Sequence, residues 1–224
     1  MSLGELLSYI ESVEHGETIL MEHSSTDPIH MIFKSLLSMV KPCNPSILIV
    51  EVLDTLFLIK KNLEAFGENT EFLDSLDVIK AGGAIEIGNV IKKFEVYEDP
   101  HVYMTSFLKA LREYYEKNDF TITFLLGVEK LVNLDQVDAS IFPLYLGNVI
   151  ESFLGHGNRI AVYFVNRELA LSSFLAHMEE ASTRVVEIKH EKGVMIAKIK
   201  KSPKPEEYGK EFRVHLEELA SLKV

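Results

Sequence analysis

Residues 18–40 read TILMEHSSTDPIHMIFKSLLSMV and join a run of aliphatic side chains to a segment whose apolar residues recur at helical spacing. The first part, 18–22, predicts a short buried strand, and the second part, 28–40, predicts an amphipathic helix. Asp27 and Pro28 suit the start of that helix, because Asp is a favourable N-cap residue and Pro is favourable in the first turn. The stretch is therefore a strand–loop–helix unit, which is the repeating unit of α/β folds.

The same alternation of strand and helix patterns continues along the chain. Aliphatic runs predict further strands at 46–52, 84–90, 121–126 and 160–165. Helical periodicity predicts helices at 55–66, 100–117, 135–154 and 167–182. Because the strands are almost continuously apolar and alternate with helices, we expect an α/β fold with a mostly parallel central sheet and helices on both faces.

The pattern changes after residue 182. Two alternating segments, 184–190 and 194–200, are joined by Glu191-Lys192-Gly193, which predicts a β-hairpin. A further short strand is predicted at 212–215. We therefore expect the parallel sheet to carry an antiparallel C-terminal extension. Since no linker, low-complexity tract or internal repeat interrupts the chain, we expect a single domain over residues 1–224.

The composition limits the classes of function. The chain has 224 residues, is 47% hydrophobic and carries a formal net charge of −11, which disfavours nonspecific binding to nucleic acid. Its single cysteine, Cys43, excludes an intramolecular disulfide. No apolar run approaches the roughly 20 residues needed to span a bilayer, and the N-terminus lacks the pattern of a signal peptide. We expect a cytoplasmic protein that does not associate with membranes. Frequent Glu, Lys and Ile, with one Gln and no Trp, resemble a thermophile composition.

The order of these elements resembles that of the RecA/RadA/KaiC-type ATPases, which have a RecA-like P-loop NTPase fold. In that family the first strand leads into a phosphate-binding loop of pattern G-x-x-x-x-G-K-[ST]. Laid over this pattern, Glu22 stands for the first Gly and Asp27 for the second, while Pro28 stands for the Lys and Ile29 for the Ser or Thr. All four defining positions are changed. The resemblance covers nearly the whole chain by order of elements and implies an archaeal KaiC-like group with a degenerate phosphate-binding loop.

Other parts of the chain resemble the family more closely. The segment TITFLLG resembles the strand that ends in the metal-binding Asp, although Gly127 stands in that place. Asn166 fits the Asn often found after the fifth strand. The C-terminal segment that in the family reaches a neighbouring subunit's nucleotide is matched by Lys198, Lys200, Ser202 and Pro203.

The changed loop predicts the loss of tight ATP binding. A phosphate loop binds through backbone N–H groups at a helix N-terminus and through its Lys. Pro28 has no N–H, and the carboxylate of Asp27 would lie where the phosphate belongs. Glu51 and Asp54 follow the second strand, where the family has its catalytic Glu, but their register does not match clearly. We therefore predict a protein that is not an enzyme and has no cofactor.

A metal site near the loop is the less favoured alternative, since Glu22, His23, Asp27 and His30 show no tight ligand spacing. We therefore predict no metal. The six lysines between 189 and 204 fit an exposed strand face that blocks edge pairing, although a docking patch for an acidic surface is the alternative. Those lysines are Lys189, Lys192, Lys198, Lys200, Lys201 and Lys204.

Three functions remain open at this point. The first is a non-catalytic module that binds a protein or peptide, or self-associates, by strand addition at a sheet edge. The residues predicted to form that edge are Ala84, Ile85, Glu86, Ile87 and Gly88. The second is a residual nucleotide-binding protein in which Lys198 and Lys200 complete a rebuilt phosphate site at a subunit interface, with Asn166 nearby. The third is an enzyme of another type in the same cleft, for which the sequence offers no nucleophile or acid–base pair.

Overall fold

The computed structural model describes residues 3–95, 100–132 and 151–224. The described strands are β1 (Thr18–His23), β2 (Ser46–Val52), β3 (Asp77–Ala81), β4 (Asn89–Phe94), β5 (Thr121–Leu126), β6 (Arg159–Asn166), β7 (Arg184–Glu191), β8 (Val194–Lys201) and β9 (Glu211–His215). The described helices are α1 (Leu3–Glu11), α2 (Ile29–Val40), α3 (Thr55–Ala65), α4 (Pro100–Lys117), α5 (Glu129–Val132), α6 (Ser172–Ala181) and α7 (Leu216–Ser221). Short 3₁₀ turns occur at Lys41–Cys43, Glu71–Ser75 and Pro205–Glu207.

The nine strands form one sheet in the order β4-β3-β2-β5-β6-β1-β7-β8-β9. Pairing is parallel from β4 to β7, and β8 and β9 continue the sheet in antiparallel fashion. The β7–β8 hairpin turns at Lys192 and Gly193, which both have positive φ angles. The expected fold class, a mostly parallel α/β sheet with an antiparallel C-terminal extension, is confirmed.

Side chains alternate between two apolar cores because successive strand residues point to opposite faces of the sheet. On β5, Leu125 joins the core beneath α4 and α6, whereas Phe124 joins the core beneath α1, α2 and α3. All six residues of β5 are buried, as expected for a central strand covered on both sides. The first core includes Phe107 and Phe174, and the second includes Phe33.

The prediction of a strand over residues 84–90 is wrong. The region contains two parallel strands, β3 and β4, and residues 82–88 form the connection between them. Gly82, Gly83 and Gly88 have positive φ angles, and a Cβ on Gly88 would lie 2.7 Å from the backbone oxygen of Leu76. The glycines therefore let the chain turn back close to β3. The edge strand of the sheet is β4, and the predicted edge, Ala84–Gly88, immediately precedes it.

One predicted helix starts later than expected, and another lies largely outside the described residues. The helix predicted at 167–182 begins later, at Ser172, because β6 extends to Asn166 and a turn follows it. The helix predicted at 135–154 falls largely outside the described residues. Within the ranges that are described, no helix is long and apolar enough to cross a membrane.

Candidate functional site

The candidate site lies at the carboxyl ends of the parallel strands, which is the usual ligand edge of open α/β sheets. The loop after β1 contacts the loop after β6, since Asn166 Nδ2 donates a hydrogen bond to Ser25 Oγ at 3.0 Å. The segment after β5 contacts the start of α3, since Lys130 Nζ donates to Thr55 Oγ1 at 2.8 Å. These contacts bring the loops of four strands into two adjoining polar clusters.

Two carboxylates accept hydrogen bonds from backbone N–H groups of the loop after β1. The N–H of Ser24 donates to Asp27 Oδ2 at 2.6 Å, and the N–H of Ser25 donates to Glu168 Oε2 at 2.9 Å. The hydrogen bonds from Ser25 lower the pKa of Glu168. The prediction that Asp27 caps α2 is therefore wrong: Pro28 occupies the N-cap position without a side-chain cap, because the Asp27 carboxylate closes its own loop. Ile29, the fourth position of the loop pattern, is the first residue of α2.

Glu22 lies at the end of β1 in a second arrangement of charges. Its carboxylate is 1% exposed and accepts a hydrogen bond from Lys200 Nζ at 2.9 Å, while Glu179 Oε1 lies 2.5 Å from the same ammonium group. Burial raises the pKa of Glu22 to about 7, although Lys200 opposes this shift. Partial burial would raise the pKa of Glu179, but Lys200 lowers it overall. Both Lys198 and Lys200 are exposed on β8, but Lys200 forms ion pairs within its own chain, and no ion pair of Lys198 is present among the described residues.

A buried lysine pairs with two carboxylates, one near the end of β2 and one just after it. Lys80 on β3 is fully buried, and its ammonium group contacts the carboxylate of Glu51 and, at 2.6 Å, that of Asp54. Burial lowers the pKa of Lys80, but the two carboxylates outweigh it and raise that pKa overall. Glu51 also accepts a hydrogen bond from the N–H of Leu56 at 3.2 Å. Both carboxylates near the expected catalytic position are therefore paired within the chain.

Asp54 also fixes the connection that leads to the edge strand. It accepts hydrogen bonds from the N–H groups of Ala84 and Ile85, each at 3.0 Å. Asp54 and its neighbour Leu53 both have positive φ angles, 59° and 48°, which residues with side chains rarely adopt. The strained turn after β2 thus holds residues 84–88 out of the sheet and beside the cleft.

The position expected for a metal-binding Asp has no room for a side chain. Gly127 has a φ of 78°, and a Cβ there would lie 2.2 Å from Thr55 Oγ1. Lys130 approaches the same hydroxyl group, and burial lowers its pKa. Burial also raises the pKa of Glu129 to about 7. Across residues 3–95, 100–132 and 151–224, no group of three or more His, Cys, Asp or Glu side chains is placed to hold a metal ion.

The edge strand β4 presents a basic and partly apolar surface. Ile91 is 42% exposed, and Lys92 and Lys93 are exposed beside it. Within the described sheet, β4 pairs with β3 on one side and forms the end of the strand order. Its other side therefore offers unpaired backbone groups to an added strand.

Sequence reasoning missed three residues of the site, namely Lys80, Lys130 and Glu168. A signal existed for Lys80, because a lone charge within an apolar strand needs a buried partner. The roles of Lys130 and Glu168 depend on contacts with residues 75 and 143 positions away along the chain. No local pattern reveals such contacts.

Comparison with solved structures supports the fold. A Pyrococcus horikoshii OT3 protein studied as project PH0250 is 29% identical with a TM-score of 0.72, over 91% of this chain and 95% of that one. The flagellar accessory protein FlaH from Methanocaldococcus jannaschii is 19% identical with a TM-score of 0.54, over 93% and 89% of the two chains. The uncharacterized protein PH0321 from P. horikoshii, solved in complex with an unknown peptide, is 13% identical with a TM-score of 0.65, over 89% and 90%.

These likenesses confirm the RecA-like fold. A search of curated proteins finds no match. A family model described as "Pyrococcus protein of unknown function, DUF257" matches residues 8–213, which is most of the chain. This chain therefore belongs to the DUF257 family.

Proposed function

We propose that this chain is a non-catalytic RecA/KaiC-like domain that binds an extended segment of a protein or peptide. The observation that carries the proposal is the pairing of loop N–H groups with carboxylates after β1. Ser24 and Ser25 donate to Asp27 and Glu168, in the region where a phosphate loop would bind its anion. A nucleotide phosphate would have to displace two like charges without help from a loop lysine. We infer a degenerate phosphate-binding loop.

The rest of the cleft supports the loss of ATP hydrolysis. Glu51 and Asp54 both pair with Lys80, so neither carboxylate is poised to activate a water molecule. Gly127 leaves no space for a metal-binding side chain, and the ammonium group of Lys130 lies nearby. An ammonium group repels a divalent cation. These features favour a protein that is not an enzyme and uses no nucleotide cofactor.

The β4 edge supports the binding of an extended segment. Strand addition uses unpaired main-chain groups for affinity and side chains at the edge for specificity. Lys92 gives this edge a positive charge in a chain whose net charge is −11, while Lys93 beside it pairs with Glu86 at 3.4 Å. Pairing two β4 strands would bring lysines of both copies together, which disfavours self-association at this edge. The charge favours a partner segment that contains acidic and apolar residues.

The structural relative PH0321 adds limited support. That protein was solved in complex with an unknown peptide, and it shares the fold with a TM-score of 0.65. The fold is therefore compatible with peptide binding. The partner of this chain and the surface it uses are our proposal.

A peptide-display selection tests the proposal. Random peptides would be selected on the wild-type chain, and the affinities of selected peptides would be measured by fluorescence polarisation. We expect selected peptides to be acidic and apolar, and to bind Ile91→Glu at least tenfold more weakly than wild type. The matched control is Leu171→Glu, because Leu171 is 39% exposed and follows β6, four positions along the sheet from β4. Failure to select any peptide, or equal affinity for Ile91→Glu, would refute the proposal.

A residual nucleotide site is the alternative function, and the exposure of Lys198 is the observation that favours it. Its side chain is accessible to a neighbouring subunit, whereas Lys200 is held by Glu22 and Glu179. The alternative requires an oligomer and measurable ATP affinity that falls in Lys198→Ala. Binding that is unchanged in this variant would exclude a role for Lys198.

A further inference from the structure

A cavity of about 250 Å³ lies on the face of the sheet beneath α1 and α2. Its floor is made by side chains of six strands, including Ile19 and Met21 on β1, Phe124 on β5 and Val162 on β6. Each of these four side chains is less than 9% exposed, although each borders the open space. The cavity is therefore largely covered.

The cavity opens at the end of the sheet opposite the candidate site. Its exposed lining residues are Glu11, His15 and Cys43, near the C-terminal ends of α1 and α2. Phe120 and Ile160, at the amino ends of β5 and β6, also border it. An occupant would therefore enter far from the loops after β1, β2 and β5, and independently of the β4 edge.

The lining is apolar and offers no counter-charge for an anion. Among the described residues that line the cavity, none is Lys or Arg. Ser35 Oγ donates its hydrogen bond to the backbone oxygen of Met31 at 2.7 Å. At the mouth, His15 stacks on Phe120 with ring centroids 4.2 Å apart, and Glu11 supplies a negative charge. A fatty acid carboxylate or a phosphate would find no cation here.

We propose that this cavity binds an uncharged, apolar small molecule. An engineered cavity of about 150 Å³ binds benzene, so by proportion this one holds roughly ten carbon atoms. The lining includes Met21, Met39 and Met195, whose flexible thioether side chains adapt to ligands of different shape. The ligand class is a short alkyl, isoprenoid or aromatic compound without a charged group. A helix of another protein is a poor occupant, because α1 already covers the floor.

Methionine methyl NMR with naphthalene as the probe tests the proposal. With the methionines labelled as ¹³C-methyl, naphthalene should shift the signals of Met21, Met39 and Met195 in a saturable way. The signals of Met104 and Met178 should not move, because both belong to the core on the opposite face. The charged analogue naphthalene-2-sulfonate should bind at least tenfold more weakly. Absence of shifts up to the solubility limit, shifts centred on Met104 and Met178, or equal binding of the sulfonate would overturn the proposal.

A filling variant tests the location by a second route. Ala197→Leu should weaken naphthalene binding at least tenfold, because Ala197 lines the cavity. The matched control is Ala161→Leu, since Ala161 is equally buried but faces the opposite core. If Ala197→Leu does not fold, Ile10→Trp is the substitute variant. Ile10 is a half-buried residue of α1 that lines the cavity, so a Trp side chain there should fill the space from the α1 side. Unchanged naphthalene affinity in a folded filling variant would refute the assignment.

Discussion

Replacing Glu129 by Gln is expected to remove much of the pH dependence of folding stability between pH 4.5 and about pH 7. Glu129 is 2% exposed, and no residue within 3–95, 100–132 or 151–224 provides a hydrogen-bond partner for its Oε2 atom. Burial raises its pKa from the ordinary value of 4.5 to about 7. The folded state then holds a proton that the unfolded state releases. The contribution of the protonated Glu129 carboxyl group to the free energy of unfolding is fully present below pH 4.5. It is lost as the pH rises through 7, and the loss amounts to about 3 kcal/mol.

Guanidinium-induced unfolding at about pH 4.5 and about pH 8 measures this effect. Because the Gln amide resembles the neutral carboxyl group in shape, Glu129→Gln should lose about 3 kcal/mol less stability than wild type on going to the higher pH. Glu22 titrates in the same range and should leave a residual dependence in both proteins. The control is Glu113→Gln, whose side chain is 54% exposed and which should follow wild type. Parallel pH profiles for Glu129→Gln and wild type would refute the reasoning.

Three further predictions concern the same clusters. Lys80→Met should lower the free energy of unfolding by about 3–5 kcal/mol, because it leaves two carboxylates without their cation. Lys61→Met, at an exposed ion pair, should lower it by less than about 1 kcal/mol. Equal losses for the two variants in denaturant titrations would contradict this prediction. Gly127→Ala should lower the free energy of unfolding by about 1–3 kcal/mol, because residue 127 has a φ of 78° and the added Cβ would lie 2.2 Å from Thr55 Oγ1. Gly157→Ala, which has open space around it, should leave the melting temperature nearly unchanged, and a similar loss there would undermine the steric argument. Lys200→Ala should destabilise the protein more at about pH 8 than at about pH 5, because the buried carboxylate that it pairs with is charged at the higher pH, and a pH-independent loss would argue against that pairing.

The strands with uninterrupted aliphatic runs were predictable from the sequence. The bounds of β2 and β5 match their predicted ranges, β1 is longer than predicted by one residue at one end, and β6 is longer by one residue at each end. The β7–β8 hairpin could be predicted from Gly193 and from the alternating segments on either side of it. By contrast, β3 escaped prediction because Asp77 and Lys80 break its apolar pattern. Lys80 is buried because Glu51 and Asp54 pair with it, and the local pattern does not show which residues those partners are.

The proposed loss of phosphate binding could be predicted from the sequence, but the contacts of the candidate site could not. The changed residues at 22 and 27–29 were visible in the sequence, but the groups that now occupy the loop were not. Glu168 reaches Ser25 across 143 residues, and Lys200 reaches Glu22 across 178 residues. The sequence could suggest that phosphate binding was impaired. Only the folded chain identifies which carboxylates accept the hydrogen bonds of this loop and which ammonium group pairs with Glu22.

Titration calorimetry of ATP with Mg²⁺, carried to millimolar nucleotide on protein of known oligomeric state, tests the central claim most directly. The account predicts no measurable heat of binding, because Asp27 and Glu168 hold the loop N–H groups and Pro28 supplies none. Asp27→Gly with Glu168→Gln frees those groups and serves as the informative comparison. Binding of ATP to the wild-type chain with a Kd below about 100 μM, or roughly −5.5 kcal/mol, would contradict the claim that this chain has lost nucleotide binding.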